Sequence, residues 1–317
     1  MTQKLQNILY APLNLALHAL ARLPWWALYA QADILYFAAY HLLRYRRKIV
    51  RQNLRDSFPN KSGEEIKAIE RESYHQFADY FVETIKMLHI SDDDIKRRFV
   101  FHGVDNIDRA FDQGRSIMMY AAHYGNWEWL MSVTLWTRHK PGQVTFGQVY
   151  QPLENEWFNR FFLHLRGRFG SVCYPKRLIY LDMLRQIKRG KQMVVGFISD
   201  QHPLHTDEGH VIKFLNHPTA MISGSEVIAR RLGLSVMYFD VRKVKRGHYE
   251  CTVVPICDNP ATLPQGEITD RYARLLERRI VAEPPYWLWT HNRWKRKVQY
   301  PSAAAAGNPE EKSQQQQ

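Results

Sequence analysis

Cysteine is scarce in this chain of 317 residues: there are three, Cys173, Cys251 and Cys257. The odd count and the lack of Cys-x-x-Cys spacing argue against a disulfide framework and a zinc ribbon, and fit reduced thiols on the cytoplasmic side. The fourteen histidines form no His-Glu-x-x-His pattern, so no metal site is expected. Zinc-finger, RRM and helix-turn-helix wording is missing as well, and nucleic acid is not an expected partner. Acidic residues are the minority, 31 against 44 Lys and Arg, leaving a formal charge of +13. Such a field attracts anionic lipid or an acidic protein.

Charge is also missing from Leu5 to Ala21, seventeen residues that sit at the lower edge of what spans a bilayer core of about 30 Å. No small-residue cleavage site follows, so a removed signal peptide is not expected. Two readings stand, a tilted membrane anchor or helices lying in the interface, and the anchor is the one favoured. Arg44, Arg46, Arg47, Lys48 and Arg51 come next and place the rest of the chain in the cytoplasm, against anionic headgroups. A buried helical pair with a solvated basic face is the plainer alternative. The expected organisation is residues 1–43 as anchor or interfacial helices, 44–297 as one catalytic domain and 298–317 as a disordered tail rich in Ala, Gly, Glu and Gln.

What is present is apolar and aromatic: 45% hydrophobic and 13% aromatic residues, with nine Trp. Trp favours surfaces with one apolar and one wet side, such as a membrane face or a lipid pocket, although most of these residues belong to a core. Ser62 to Glu65 has the form of a capping box and opens a helix running to about Leu88. Asp92, Asp93 and Asp94 are expected to start the next short helix. Runs of β-branched and apolar residues at 143–150, 172–174, 193–199, 235–244 and 248–256 read as strands. Helices at 179–189 and 268–281 and one leading out of Phe214–Ala220 to Arg230 alternate with them. This gives an α/β fold with a mixed, largely parallel central sheet flanked by helices.

The stretch with chemical content is Ser116 to Leu130. Ile117, Met118, Met119 and Tyr120 suit a buried strand, His123 falls at its end, Gly125 allows a corner, and Asn126 can cap a helix opened by Trp127, Glu128 and Trp129. On one continuous helix His123 and Glu128 would point roughly 140° apart, so they meet only if the chain turns between them. An imidazole held by a carboxylate is the arrangement of a general base. Glu128 also suits the positive end of a helix dipole, and His123 can be a packed, hydrogen-bonded residue. Met193 to Ser199 ends in Asp200-Gln201, so Asp200 lies at the same kind of strand edge as His123, and the two ends can open into one crevice. A turn or N-cap role fits Asp200 equally well. Arg160, Arg166 and Arg168 are either solvated charges or a phosphate clamp.

Together these blocks resemble the lipid A late acyltransferases, within the broader His-x4-Asp/Glu glycerolipid acyltransferases. The resemblance covers about residues 5–297. It is carried by the apolar N-terminus with its basic flank, Asn53-Leu54 with Phe58-Pro59, His123-Tyr-Gly-Asn-Trp-Glu128 and Val149-Tyr150-Gln151-Pro152. Further blocks are Arg166-x-Arg168 before Phe169-Gly170, Ile198-Ser199-Asp200-Gln201, Lys213-Phe214-Leu215 with Pro218, and Trp287-Leu-Trp-Thr-His-Asn-Arg-Trp-Lys295. Tyr-Gln-Pro and Phe-Leu-Asn stand where the family often has Tyr-Arg-Pro and Phe-Phe-Gly. The resemblance implies a glycerolipid-acyltransferase-like fold at the bacterial inner membrane, with the catalytic domain on the cytoplasmic face. The implied reaction is acyl transfer from an acidic acyl carrier protein to a hydroxyl of a lipid A precursor. His123 would be the base and Glu128 its orienting carboxylate, with Asn126, Arg166, Arg168, Asp200 and Gln201 binding substrate. No cofactor is implied, because the phosphopantetheine arm arrives with the carrier. A lysophospholipid or aminolipid acceptor, and a non-catalytic basic lipid- or nucleic-acid-binding protein, remain the alternatives.

Overall fold

The protein is described here by a computed structural model, covering residue 6, residues 8–203 and residues 210–298. The tail beyond 298 and most of the polar loop between His202 and His210 lie outside the described residues.

The chain begins with helices α1 (Ala11–Arg22) and α2 (Trp25–Phe37), the second continuing through a π-helical turn at Ala38–Leu42. Then come α3 (Arg47–Ser57), α4 (Gly63–Lys86) and α5 (Asp92–Arg98). Strand β1 (Phe99–His102), helix α6 (Asp105–Asp112) and strand β2 (Ile117–Ala121) lead to a 3-10 helix at Trp127–Leu135. The series β3 (Thr145–Tyr150), α7 (Glu156–Arg166), β4 (Val172–Pro175), α8 (Ile179–Lys188) and β5 (Met193–Ile198) follows. A small hairpin, β6 (Val211–Phe214) and β7 (His217–Ala220), precedes α9 (Gly224–Leu232). The long strands β8 (Ser235–Lys245) and β9 (His248–Cys257), helix α10 (Glu267–Ala282) and short 3-10 turns at Pro260–Thr262 and Pro284–Tyr286 follow.

Seven strands form one sheet in the order β1-β9-β8-β2-β5-β3-β4. Every neighbouring pair is parallel except β8 and β9, which are antiparallel. The expected mixed, largely parallel sheet flanked by helices is therefore present. β2 lies at its centre and all five of its residues are buried, as a strand covered on both faces must be. Fully burying a side chain such as Ile117 or Met119 stabilises the fold by about 1.5–3 kcal/mol.

Helix α4 opens with the expected capping box. The Ser62 hydroxyl accepts from the Glu65 backbone N–H, and the Glu65 carboxylate accepts from the Ser62 N–H. Ser91, rather than an aspartate, caps α5, and Asp92–Asp94 occupy its first turn. Four differences from the sequence reading have clear causes. Strand β1 is only four residues long, too short for a period to show. The segment Phe214–Ala220 leads into a helix as expected, α9, but it is itself half of the β6–β7 hairpin. Its two-residue turn puts Leu215 and Asn216 at φ 49° and 65°. Such turns favour Asn-Gly or Gly-Gly, and a leucine there hides the signal; Leu215 is held by burial and by its N–H donating to Glu277 Oε1 at 2.6 Å. The helix after Asn126 is 3-10 rather than α-helical, and the Asn126 side chain does not cap it.

The fourth difference is the N-terminus. Pro24 separates α1 from α2, which have 12 and 13 residues. At 1.5 Å per residue α1 is about 18 Å long, and α2 with its π-helical turn reaches at most about 27 Å, both under a bilayer core of about 30 Å. Among the described residues no helix is long and apolar enough to cross a membrane, so a spanning anchor at 1–43 is not supported. One face of α2 packs against α4 instead, where Leu28, Ala32, Ala78 and Val82 form a small buried cluster.

Candidate active site

The sheet register itself assembles the site. Ala121 at the end of β2 pairs with Ile198 at the end of the parallel strand β5. Two residues further along each chain, His123 and Asp200 leave the carboxyl edge side by side, the position where open α/β sheets build their sites. The Asp200 Oδ1 lies 2.8 Å from His123 Nδ1, and Oδ2 accepts from the His123 backbone N–H at 3.0 Å. A third donor, the Trp287 indole N–H, reaches Oδ2 at 2.7 Å. Burial would raise the Asp200 carboxyl. The charge of His123 and these hydrogen bonds outweigh it and hold the group below its usual range. With Nδ1–H directed at the carboxylate, Nε2 is left as the basic nitrogen. Gln201 caps that atom, its Nε2 standing 3.2 Å from His123 Nε2.

The partner of the His123 ring is thus Asp200, 77 residues away, and not Glu128 as the motif suggests. Glu128 is buried and faces another way. Its oxygens take Arg166 Nη2 at 2.7 Å and Nε at 2.9 Å, and the Tyr80 hydroxyl stands 3.4 Å from Oε1. Trp127 lies edge-on to the His123 ring at 5.0 Å and stacks on Tyr80 at 4.0 Å. Two cavities meet at Trp127. One lies toward Leu130, Met131, Val149, Ile198 and Phe239, with Glu128 and Arg166 in its wall. The other lies toward Tyr74, Phe77, Tyr80 and the segment 286–290.

The remaining residues singled out in the sequence are placed differently. Arg168 is drawn away from this crevice, donating to Asp92 Oδ1 at 2.8 Å and to the Ile90 carbonyl at 3.1 Å. Asn126 is fully buried, so it touches no substrate in this conformation; its Nδ2 donates to Glu83 Oε2 at 2.9 Å. Glu83 also accepts from the Tyr249 hydroxyl at 2.9 Å and the Tyr29 hydroxyl at 3.2 Å. Burial, reinforced by Asp79, pushes the Glu83 carboxyl up to about 7 against these donors. Gly125, at φ 61°, lets the loop pass under Val241 and Tyr249, where an added Cβ would lie 3.1 Å from Val241 Cγ1.

Sequence reasoning assigned no role to the residues that frame the pair. Behind Asp200 stand His291, which burial pushes down to about 4, and Arg293, which burial pushes down to about 10. The His202 backbone N–H donates to His291 Nε2 at 3.3 Å. Trp287, His291 and Arg293 all fall in the Trp-rich block whose order was legible and whose purpose was not. Glu83 and Tyr80 carried no signal beyond helical spacing.

A largely parallel sheet with a histidine–carboxylate pair at its carboxyl edge, flanked by apolar cavities, defines an α/β protein with a site suited to proton transfer. The chain belongs to the bacterial lipid A biosynthesis acyltransferase family, which residues 4–296 match. It is 26% identical over 258 residues to the lipid A biosynthesis palmitoleoyltransferase of Escherichia coli (strain K12), covering 80% of each chain. It is also 24% identical over 261 residues to the lipid A biosynthesis lauroyltransferase of the same strain, covering 81% of each. Family membership makes the protein an acyltransferase.

Proposed function

We propose that the protein transfers a fatty acyl chain from an acyl-carrier-protein thioester to a hydroxyl of a lipid A precursor. The observation that carries this reading is the His123–Asp200 pair at the sheet edge of a chain in this family. In the proposed step the acceptor hydroxyl takes the place of the Gln201 amide at His123 Nε2 and gives up its proton there. The oxygen attacks the thioester carbon, the carbon–sulfur bond breaks, and the departing thiolate takes the proton back from Nε2. Asp200 keeps the ring in the Nδ1–H tautomer and stabilises the imidazolium in between. A thioester is already activated, so the step uses no nucleophilic side chain. The phosphopantetheine arm enters as part of the donor, and no bound cofactor is invoked. Arg166, locked in place by Glu128 in the wall of one cavity at Trp127, is suited to the oxyanion or to a phosphate. The two cavities at Trp127 are lined mainly by apolar side chains, and in this reading they widen to admit hydrocarbon.

The surface supports a membrane-facing role without a span. Leu13, Leu15, Trp26, Ile34, Phe37 and Leu43 on the N-terminal helices are exposed, Trp26 and Leu43 to 76%. Arg44, Arg46, Lys48 and Arg55 border them on α3 and the turn before it. Arg47 and Arg51 in the same patch are tied to the buried Glu70. Exposed apolar side chains followed in the chain by a cluster of cations suit helices that lie in the interface of an anionic bilayer. In this reading the protein works on the cytoplasmic face of the bacterial inner membrane. The acidic carrier would meet the same positive field, with a salt-sensitive encounter.

The test offers acyl-carrier-protein and acyl-coenzyme A donors, each with a tetra-acylated lipid A precursor and with lysophospholipids. Product from the carrier donor on the lipid A precursor alone is the expected result. Product on lysophospholipid alone keeps the chemistry and overturns the acceptor; product from coenzyme A alone overturns the donor.

A further inference from the structure

The C-terminal segment pins the loop that carries His123. Gly125 N–H donates to the Tyr286 carbonyl at 2.9 Å, and Leu288 N–H donates to the His123 carbonyl at 3.0 Å. Tyr124 and Trp287 form an antiparallel bridge between those bonds. The segment thus lies along residues 123–125 like a short added strand, and its register decides where the Trp287 ring goes. That ring is 5% exposed, packed edge-on against Trp289 at 4.8 Å and Phe214 at 6.1 Å. Its N–H is aimed at the oxygen of Asp200 that also receives the His123 backbone N–H. The other oxygen is left for the imidazole.

We infer that Trp287 is a positioning residue for the reaction: its indole N–H fixes the Asp200 carboxylate, and through it the ring of His123. This rests on the proposed role of His123 as general base. Without the indole, Asp200 keeps one backbone donor on Oδ2, and the carboxylate is free to rotate about its Cβ–Cγ bond, taking the imidazole with it. A hydrogen bond to a charged group typically contributes about 1.5–3 kcal/mol, which corresponds to a factor of roughly ten to a hundred.

The pH dependence follows in sign. A carboxylate that loses a donor is less stabilised in its charged form, so it protonates at higher pH. The acid limb of kcat/KM for the coupled pair therefore moves up. The other titratable groups around Asp200 are His123 at the end of β2, His202 after β5, Tyr272 on α10, and His291 and Arg293 beyond the segment. The substitution replaces none of them.

The experiment compares Trp287→Phe with Trp289→Phe. Trp289 is as deeply buried in the same segment, but its indole N–H donates to the Pro284 carbonyl at 2.7 Å. Trp287→Phe is expected to lower kcat on the order of tenfold or more, leave KM for the donor within about twofold, and raise the acid limb. Trp289→Phe, which changes the wall of one cavity at Trp127, is expected to lower the melting temperature and leave the acid limb of the pH profile at its wild-type position. If Trp287→Phe does not fold, benzothienylalanine at position 287 keeps the shape of the indole and replaces only its N–H. A wild-type kcat and pH profile in the position-287 variant overturns the inference, as does an equal shift of the acid limb in both variants, which would mark the segment as a structural strap. His123→Ala measured alongside separates the two levels. If that variant is inactive while the position-287 variant is normal, this inference fails alone; if His123→Ala is active, the underlying reading fails.

Discussion

Asp200→Asn is expected to lower kcat by about 10²–10⁴ with little change in melting temperature or in KM for the donor. The amide is the same size and keeps one oxygen for the His123 backbone N–H and the Trp287 indole. The group facing His123 Nδ1 then becomes an NH2 donor, and Nδ1 must accept from it. The proton moves to Nε2, the atom that has to receive the acceptor's proton, and the base is disabled without being removed. The imidazolium also loses its 2.8 Å counter-charge. Steady-state rates across pH, with circular dichroism as the folding control, make the check. A variant with wild-type kcat would show that the ring does not depend on Asp200.

Glu128→Ala is expected to cost about 3–5 kcal/mol of stability, a large share of the roughly 5–15 kcal/mol that holds a typical protein folded. The Glu128 side chain is 3% exposed and makes two short bonds to Arg166, so removal strands a guanidinium that has little access to water. Thermal melting should show a drop of several degrees. Activity should fall as well, because a released Arg166 disturbs the wall of the crevice. Glu128→Gln, which keeps one acceptor, should fall between. If Glu128→Ala melts normally yet loses all activity, Glu128 acts on the chemistry directly, as the spacing of the motif first suggested.

Those two predictions divide along the line between what the sequence shows and what it does not. The apolar runs ending at His123 and Asp200 were legible because buried parallel strands leave that pattern and their ends mark the functional edge. Which carboxylate holds the imidazole was not legible. Glu128 is five residues away and Asp200 is 77, and only the pairing of Ala121 with Ile198 brings the distant one alongside. The local helix adds to the misdirection. It is 3-10, and Asn126 is pulled inward by Glu83, so the turn that was expected to bring Glu128 to His123 delivers it to Arg166. At the N-terminus, seventeen uncharged residues fit a span or an interfacial helix by composition, with the span favoured. Among the described residues no helix is long and apolar enough to cross a membrane, and the packing of α2 on α4, which has no hydropathy signature, buries one of its faces instead.

The measurement that tests the central claim most directly is the single-turnover rate of acyl transfer by His123→Ala beside the wild type. Protein reconstituted in anionic vesicles would be given acyl-carrier-protein donor and tetra-acylated lipid A precursor. The account predicts a loss of at least about 10²-fold in a variant that melts like the wild type, because general-base catalysis contributes on that order. A His123→Ala variant that transfers acyl chains at the wild-type rate would contradict it, and would leave the pair at the sheet edge as packing rather than chemistry.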